Sequence, residues 1–125
     1  PNGREMGVCM VEREDDALFD GLPSAFSVIQ THMDAVNKAP ENAQVIAGNE
    51  LTPVQAMAID DHVRCVQWHP EFTHDVIAQY IEARAHLVEA ESGPEGLRAM
   101  RAGVKPVESG RVILRNFADH FLKAL

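Results

Sequence analysis

A histidine and a glutamate lie two residues apart in the string QWHPEF at residues 67–72, and together they can form an acid–base pair. Pro70 fixes its own φ angle and favours extended backbone at His69. Residues two apart in an extended segment point to the same side, so the Glu71 carboxylate can accept the Nδ1 proton of His69. Nε2 of the ring is then free to act as a base. This arrangement is typical of the base and its orienting partner in a nucleophilic triad. The alternative interpretation is a surface loop in which the histidine and the glutamate are merely polar.

The pair stands where a predicted strand ends and a helical region begins. Val54–Ile59 and Val63–Trp68 are predicted to form an antiparallel hairpin around the acidic turn at 60–62. From Asp75 the apolar residues fall on one helical stripe, and Thr73 is the expected N-cap; the stripe contains Ile77, Ile81, Ala85 and Val88. Ligand clefts form at strand ends in open α/β sheets, so this position favours a functional site.

Three further strands are predicted nearer the start of the chain, at Glu5–Val11, Phe26–Gln30 and Val45–Ala47. The first is mostly apolar and is expected to be buried on both faces. Later in the chain, Pro94 suits the first position of a short helix to about Arg101, and a last helix runs from about Arg111. Strands come first and helices last around a central sheet, which predicts an α/β or α+β fold.

Composition limits the classes of function. The 125 residues suffice for one domain, and 19 acidic against 11 basic residues give a net charge of −8. Such an acidic surface disfavours binding to nucleic acid or to anionic membranes. The sequence has no apolar run of membrane-spanning length and no leader, so we expect a cytoplasmic protein. It begins at Pro1-Asn2 without methionine, and we therefore expect it to be part of a longer chain.

Several segments together resemble class I (triad) glutamine amidotransferase domains, closest to the GMP-synthase-like branch. The string VQWHPEF is similar to the signature near the C-terminal end of those domains. THMDAV at residues 31–36, followed by Pro40 and Val45–Ala47, resembles their Ser-His-x-Asp-x-Val, proline and apolar-strand series. Two shorter strings agree in order, Gln55-Ala56-Met57 before the hairpin turn and Arg115-Asn116-Phe117 in the last helix. The resemblance implies a flavodoxin-like α/β domain, with a mixed sheet and flanking helices.

The resemblance also implies a reaction, the hydrolysis of glutamine to glutamate and ammonia through a γ-glutamyl thioester. His69 would deprotonate a cysteine and later protonate ammonia, and Glu71 would orient His69. Thr31 and His32 would lie beside the bound glutamine, with Thr31 in place of the usual serine and Met33 in place of the usual glycine. No cofactor or metal is implied. The partners implied are the upstream half of the same domain and an ammonia-accepting synthase domain or subunit.

The nucleophile is the missing element. Residues 7–11 read Gly-Val-Cys-Met-Val and match only half of the Gly-x-Cys-x-Gly elbow of the family. Cys9 is predicted to lie in mid-strand, and Cys65 to pack as a small core residue. We therefore expect the nucleophile to lie upstream of Pro1. Residues 1–125 would then be the C-terminal portion of one amidotransferase domain, inactive by itself.

Other interpretations remain beside this one. A γ-glutamyl hydrolase uses related Cys–His chemistry, and a non-catalytic interaction protein could retain the fold. A metal site made of His69, Glu71 and His74 is disfavoured because no Cys-x-x-Cys accompanies them. His62, on the hairpin turn, and His120, on the last helix, are interpreted as ordinary histidines without a functional role. Trp68 is predicted to form a cleft wall, and Asn116 to be a capping or packing residue.

Overall fold

A computed structural model describes residues 3–122 of the chain. Pro1 and Asn2, where we expect the chain to continue from a longer one, lie outside this range. Five strands come first: β1 (Glu5–Arg13), β2 (Ala25–His32), β3 (Ala43–Gly48), β4 (Ala56–Ile59) and β5 (Val63–Val66). Three helices follow: α1 (His74–Ala83), α2 (Ala85–Ala102) and α3 (Ser109–Phe117), with a last turn over Ala118–Leu122. The predicted order of strands, then helices, is confirmed.

The strands form one sheet in the order β2-β1-β3-β4-β5. All four pairings among the described strands are antiparallel, and a parallel pairing, which a mixed sheet requires, is not among them. The sheet is curled, because the chain leaving β5 returns to the other edge, where the His69 amide donates to the Ile29 carbonyl on β2 at 2.9 Å. The α/β class with flanking helices is confirmed, and this return brings His69 to β2.

Apolar side chains pack into two cores on opposite faces of β2. Alternate residues of a strand point to opposite faces, so Phe26 and Val28 enter the first core while Ile29 enters the second. The first core fills the curl of the sheet and is closed by Ile113 and Phe121 from the end of the chain. The second lies under the α1 and α2 helices and contains Met6, Ile77, Ile81, Val88 and Leu97. The predicted stripe of α1 is therefore its buried face.

The helical region differs from its prediction in one place and agrees with it in two. Thr73 caps α1 as predicted, and its hydroxyl accepts from the Val76 amide at 3.4 Å. The single predicted stripe, however, is divided into two helices at Arg84, where no glycine or proline marks a break. Inside α2 the backbone kinks at Gly93, whose φ of 73° is favourable only for glycine, and helical geometry resumes at Pro94. A new start at Pro94 therefore agrees with its prediction.

β1 is less buried than its apolar sequence predicts. Met6 and Val11 are buried, whereas the Met10 side chain is 54% exposed and Glu12 lies at the surface. β1 pairs with β3 only at Glu12 and Arg13, so burial on both faces is wrong for the outer half of this strand. Within residues 3–122, every helix is too short or too polar to cross a bilayer.

Candidate active site

The turn after β5 carries the His69–Glu71 pair. His69 Nδ1 lies 2.8 Å from Glu71 Oε1, so the contact predicted from their spacing is confirmed. Since a carboxylate can only accept, Nδ1 carries the proton in this contact and Nε2 of a neutral ring is unprotonated. The side chains are 34% and 58% exposed, respectively. The pair is therefore open to solvent and oriented for proton transfer through Nε2.

The charge of Glu71 supports this orientation. Partial burial raises the pKa of Glu71, while the hydrogen bond from His69, a backbone hydrogen bond and the positive charge of a protonated His69 lower it. The balance leaves the pKa of Glu71 below its ordinary value. Glu71 is therefore a carboxylate at neutral pH and can only accept a hydrogen bond from the ring.

Phe72 holds the plane of the His69 ring, a role that was not predicted from the sequence. The two rings stack with centroids 4.2 Å apart and an interplanar angle of 13°. On its other side Phe72 contacts Tyr80 of α1, with ring centroids 5.3 Å apart. The only sign of this stacking in the sequence is an aromatic residue three positions after the histidine. The imidazole is thus held by a hydrogen bond at one edge and by packing on one face.

The first turn of α3 lies directly against the same turn. An added Cβ at Gly110 would stand 2.2 Å from the Pro70 carbonyl oxygen, so only glycine fits there. Ser109, one residue earlier, donates its hydroxyl to the Ser27 carbonyl of β2. The α3 helix begins two residues earlier than predicted. Through these contacts its first turn supports the His69–Glu71 turn from behind.

Both predicted pairs of site residues are connected to β2. The Ile29 carbonyl accepts from the His69 amide, and Thr31 and His32 follow two and three residues later on the same strand. At about 3.3 Å per residue, Thr31 lies about 7 Å along the strand from the bond that holds His69. The fold therefore directs both pairs to the C-terminal end of β2.

The side chain of His32 is turned inward. It is 7% exposed, its Nδ1 lies 2.9 Å from the Asp34 carbonyl, and its Nε2 lies 3.3 Å from Oε1 of Glu5. The following Met33 is 41% exposed, and its sulfur contacts the Arg4 guanidinium at 3.2 Å. A ligand beside this segment would therefore meet its backbone and the side chains of Thr31 and Met33 before the ring of His32.

Trp68 and Cys65 are placed differently from their predictions. Trp68 is 3% exposed and packs against Phe19 and Phe26, with ring centroids 6.2 and 6.1 Å away. It is a core residue, and its interpretation as a cleft wall is wrong, because its side chain points into the curl of the sheet. Cys65 is only half-buried on β5, opposite Met57, and lies outside both cores. Its predicted core packing is therefore wrong as well.

Cys9 has the properties of a structural thiol. It lies in the middle of β1 opposite Val28, as predicted. Burial, with a smaller contribution from the negative charge of Glu5, raises the pKa of the Cys9 thiol to about 12. A nucleophilic cysteine needs the opposite shift, which a helix N-terminus or a neighbouring cation produces. This environment therefore does not activate Cys9.

The remaining candidate residues are structural or lie at the surface. Asn116 donates to the carbonyls of Leu18 and Asp20 at 3.0 and 2.9 Å, which confirms a packing role. His120 lies 3.1 Å from the Asp20 carboxylate, and His62 is exposed in the β4–β5 turn. Among residues 3–122, no three histidine, cysteine or carboxylate side chains cluster in the manner of a metal site.

A groove of about 680 Å³ lies apart from this site. It runs between β1 and β3, where the two strands diverge, and Met10, Arg13 and Val45 are among its lining residues. None of Thr31, His32, His69 and Glu71 lines it. Because the groove lacks the predicted acid–base pair, we locate the candidate site at the His69–Glu71 turn and not in the groove.

The fold is that of a glutamine amidotransferase. A glutamine amidotransferase of known structure from Thermotoga maritima matches 94% of this chain and 50% of its own, with a TM-score of 0.70 and 23% identity. The family model described as glutamine amidotransferase class-I matches residues 2–87. The chain therefore belongs to the class I glutamine amidotransferase family.

Two curated relatives illustrate how far the similarity extends. A glutamine-hydrolyzing GMP synthase from Thermosipho melanesiensis is 43% identical over 72 residues, which are 57% of this chain and 14% of that protein. Gamma-glutamyl peptidase 2 from Arabidopsis thaliana is 31% identical over 105 residues, 84% of this chain and 41% of that protein. The chain thus spans less than half the length of either relative.

Proposed function

We propose that this chain supplies the acid–base part of a site that hydrolyses glutamine to glutamate and ammonia. The observation that best supports this role is the 2.8 Å contact between His69 Nδ1 and Glu71 Oε1, which leaves Nε2 as the base. Membership of the class I glutamine amidotransferase family supplies the class of reaction. Thr31 and His32 are the proposed glutamine-binding residues, because β2 carries them to the same end as His69.

The proposed mechanism uses both states of His69. Nε2 takes the proton of a cysteine thiol, and the resulting thiolate attacks the side-chain amide carbon of glutamine. The protonated ring then gives this proton to the leaving nitrogen, so ammonia departs and a γ-glutamyl thioester remains. Water deprotonated by His69 adds to the thioester, and glutamate leaves as the sulfur recovers a proton. Glu71 keeps the ring oriented throughout and fixes the tautomer of its neutral state, and this acid–base chemistry needs no metal or cofactor.

The nucleophile in this proposal lies outside the 125 residues. Cys9 is in mid-strand with a pKa of about 12, and its glycine pattern matches only half of the elbow of the family. We therefore propose that these residues are the C-terminal portion of one domain whose nucleophile-bearing portion precedes them. The GMP synthase relative is named for glutamine hydrolysis coupled to a synthase, and 14% of it is matched here. We infer that ammonia passes to an acceptor site on another domain or subunit.

Glutamine turnover measured with and without a nucleophile-bearing half tests this proposal. The 125-residue chain alone should release no glutamate, whereas a fusion to the N-terminal half of a related amidotransferase should do so. In the active fusion, His69→Ala should lower kcat by about 10²–10⁴-fold, the usual contribution of a general base. Glu71→Gln should cost less, because the base remains. His62→Ala, on an exposed turn, is the matched control. Turnover by the 125-residue chain that Cys9→Ser abolishes would contradict these assignments.

Cleavage of γ-glutamyl peptides is the second candidate activity. The similarity to the gamma-glutamyl peptidase covers 105 residues against 72 for the GMP synthase, so it accounts for more of the chain. The same nucleophile and base would attack a γ-glutamyl bond, with an amino acid or peptide amine leaving in place of ammonia. Comparing kcat/KM for glutamine with that for a γ-glutamyl dipeptide in the active fusion separates the two. A higher value for the dipeptide would favour the peptidase.

A further inference from the structure

Glu5 is the only acidic side chain that is buried among residues 3–122, with 6% exposed. A carboxylate removed from water is costly unless hydrogen bonds replace its solvation. It begins β1, in a segment that otherwise reads as an ordinary apolar strand, and the proposed reaction does not use it. Other groups in the fold must therefore stabilise the buried Glu5 carboxylate.

Three side chains from one loop provide the missing hydrogen bonds. Thr52 Oγ1 donates to Glu5 Oε1 at 2.6 Å, and Gln55 Nε2 donates to the same oxygen at 3.2 Å. Asn49 Nδ2 donates to the other oxygen, Oε2, at 2.7 Å. Thr52 and Gln55 are themselves 2% exposed. The segment that joins β3 to β4 thus holds the carboxylate in one orientation.

This carboxylate is directed at His32. Glu5 and His32 are direct cross-strand partners in the β1–β2 pairing, and Glu5 Oε1 lies 3.3 Å from His32 Nε2. On the other side of the ring, Nδ1 lies 2.9 Å from the Asp34 carbonyl. Nδ1 therefore has the Asp34 carbonyl within hydrogen-bond distance. Nε2 makes no hydrogen bond within residues 3–122, but it lies within ion-pair distance of the Glu5 carboxylate.

We propose that Glu5 is a positioning residue that fixes the Thr31–His32–Met33 segment for glutamine binding. It acts through His32, which in turn sets the backbone on either side of the ring. The loop that contains Asn49, Thr52 and Gln55 contributes to this positioning, because its side chains orient the Glu5 carboxylate. The inference rests on the proposed function of Thr31 and His32.

Kinetics of Glu5→Gln in the active fusion test the effect on substrate. The amide removes the charge and places an NH₂ group among donors, so the segment should lose its anchor. We expect KM for glutamine to rise at least about 10-fold and kcat to change less than about 3-fold, because the His69–Glu71 contact is untouched. Glu12→Gln, an exposed glutamate on the same strand, is the charge-matched control. Ile46→Val in the first core controls for lost stability. Equal rises in KM for Glu5→Gln and Ile46→Val would overturn the inference.

Hydrogen exchange in the 125-residue chain separates this inference from the glutaminase proposal. Glu5→Gln should speed amide exchange at residues 31–33 at least about 10-fold, with β4 and β5 unchanged. If the wild-type fusion fails to hydrolyse glutamine, the proposed function falls, and exchange still decides whether Glu5 fixes the segment. An active fusion with unchanged KM, or unchanged exchange at 31–33, would refute the positioning role. If Glu5→Gln does not fold, Thr52→Val removes a single donor and should raise KM about 3-fold, and an unchanged KM would refute the role.

Discussion

Replacing Gly110 with alanine measures how closely the α3 helix supports the turn that carries His69 and Glu71. The new Cβ would stand 2.2 Å from the Pro70 carbonyl oxygen, about 1.2 Å short of ordinary contact. The helix and the turn are each hydrogen-bonded to β2, through Ser109 and through the His69 amide. Neither can move by that distance without straining a hydrogen bond. The clash is with backbone, so no side-chain rotation relieves it.

The sign of the effect follows from two opposing magnitudes. Alanine in a helix normally stabilises by about 0.5–1 kcal/mol relative to glycine. Overpacking a tight contact costs about 1–3 kcal/mol. We therefore expect Gly110→Ala to lower the free energy of unfolding by about 1–2 kcal/mol. In the active fusion, a displacement of about 1 Å at the His69–Glu71 pair should lower kcat by up to about 100-fold.

Urea denaturation of the 125-residue chain measures the stability term. Gly103→Ala is the matched control, because a Cβ there meets its nearest atom, the Ala99 carbonyl oxygen, at an ordinary 3.5 Å. That variant should unfold at or slightly above the wild-type midpoint. Equal stability of Gly110→Ala and Gly103→Ala would show that α3 does not press on the Pro70 turn.

Two further predictions concern Cys9 and Trp68. With its pKa raised from 9.0 to about 12, Cys9 should react with a thiol reagent at pH 8 on the order of 10³-fold more slowly in the folded chain than in urea. The same shift predicts that the contribution of Cys9 to stability is constant below pH 9 and falls as pH rises from 9 toward 12, because only the unfolded thiol ionises there. A flat profile relative to Cys9→Ser over this range would contradict it. Trp68→Ala should lower the free energy of unfolding by about 3–5 kcal/mol, as for other buried aromatic residues. Since Trp68 is the only tryptophan, its emission should shift to longer wavelength on unfolding, and a solvent-exposed spectrum in the folded chain would contradict its burial.

The sequence was most informative where local rules act. The strands, the Thr73 cap and the restart at Pro94 depend on periodicity and turn chemistry within a few residues. The His69–Glu71 contact depends on extended backbone over only three residues, which Pro70 enforces. These features could be predicted because no distant part of the chain decides them.

The sequence was least informative where partners lie far apart in the chain. The role of Gly110 depends on Pro70, 40 residues earlier, and the burial of Glu5 depends on residues 49–55. Trp68 was predicted to form a cleft wall because its neighbour His69 is at the surface. Its own contacts are with Phe19 and Phe26 in the core. Tertiary packing sets these features, and neither residue type nor spacing encodes them.

The hydrogen bond that closes the curled sheet also bears on the order of folding. It joins Ile29 to His69, whose positions in the chain are 40 residues apart, and β3, β4 and β5 lie between them. Closing a loop of this length is entropically costly unless the intervening strands have already paired. The β1–β2 hairpin can form early, but it acquires His69 only when the sheet closes. We therefore expect His69 to join β2 late in folding, after β3, β4 and β5 have paired.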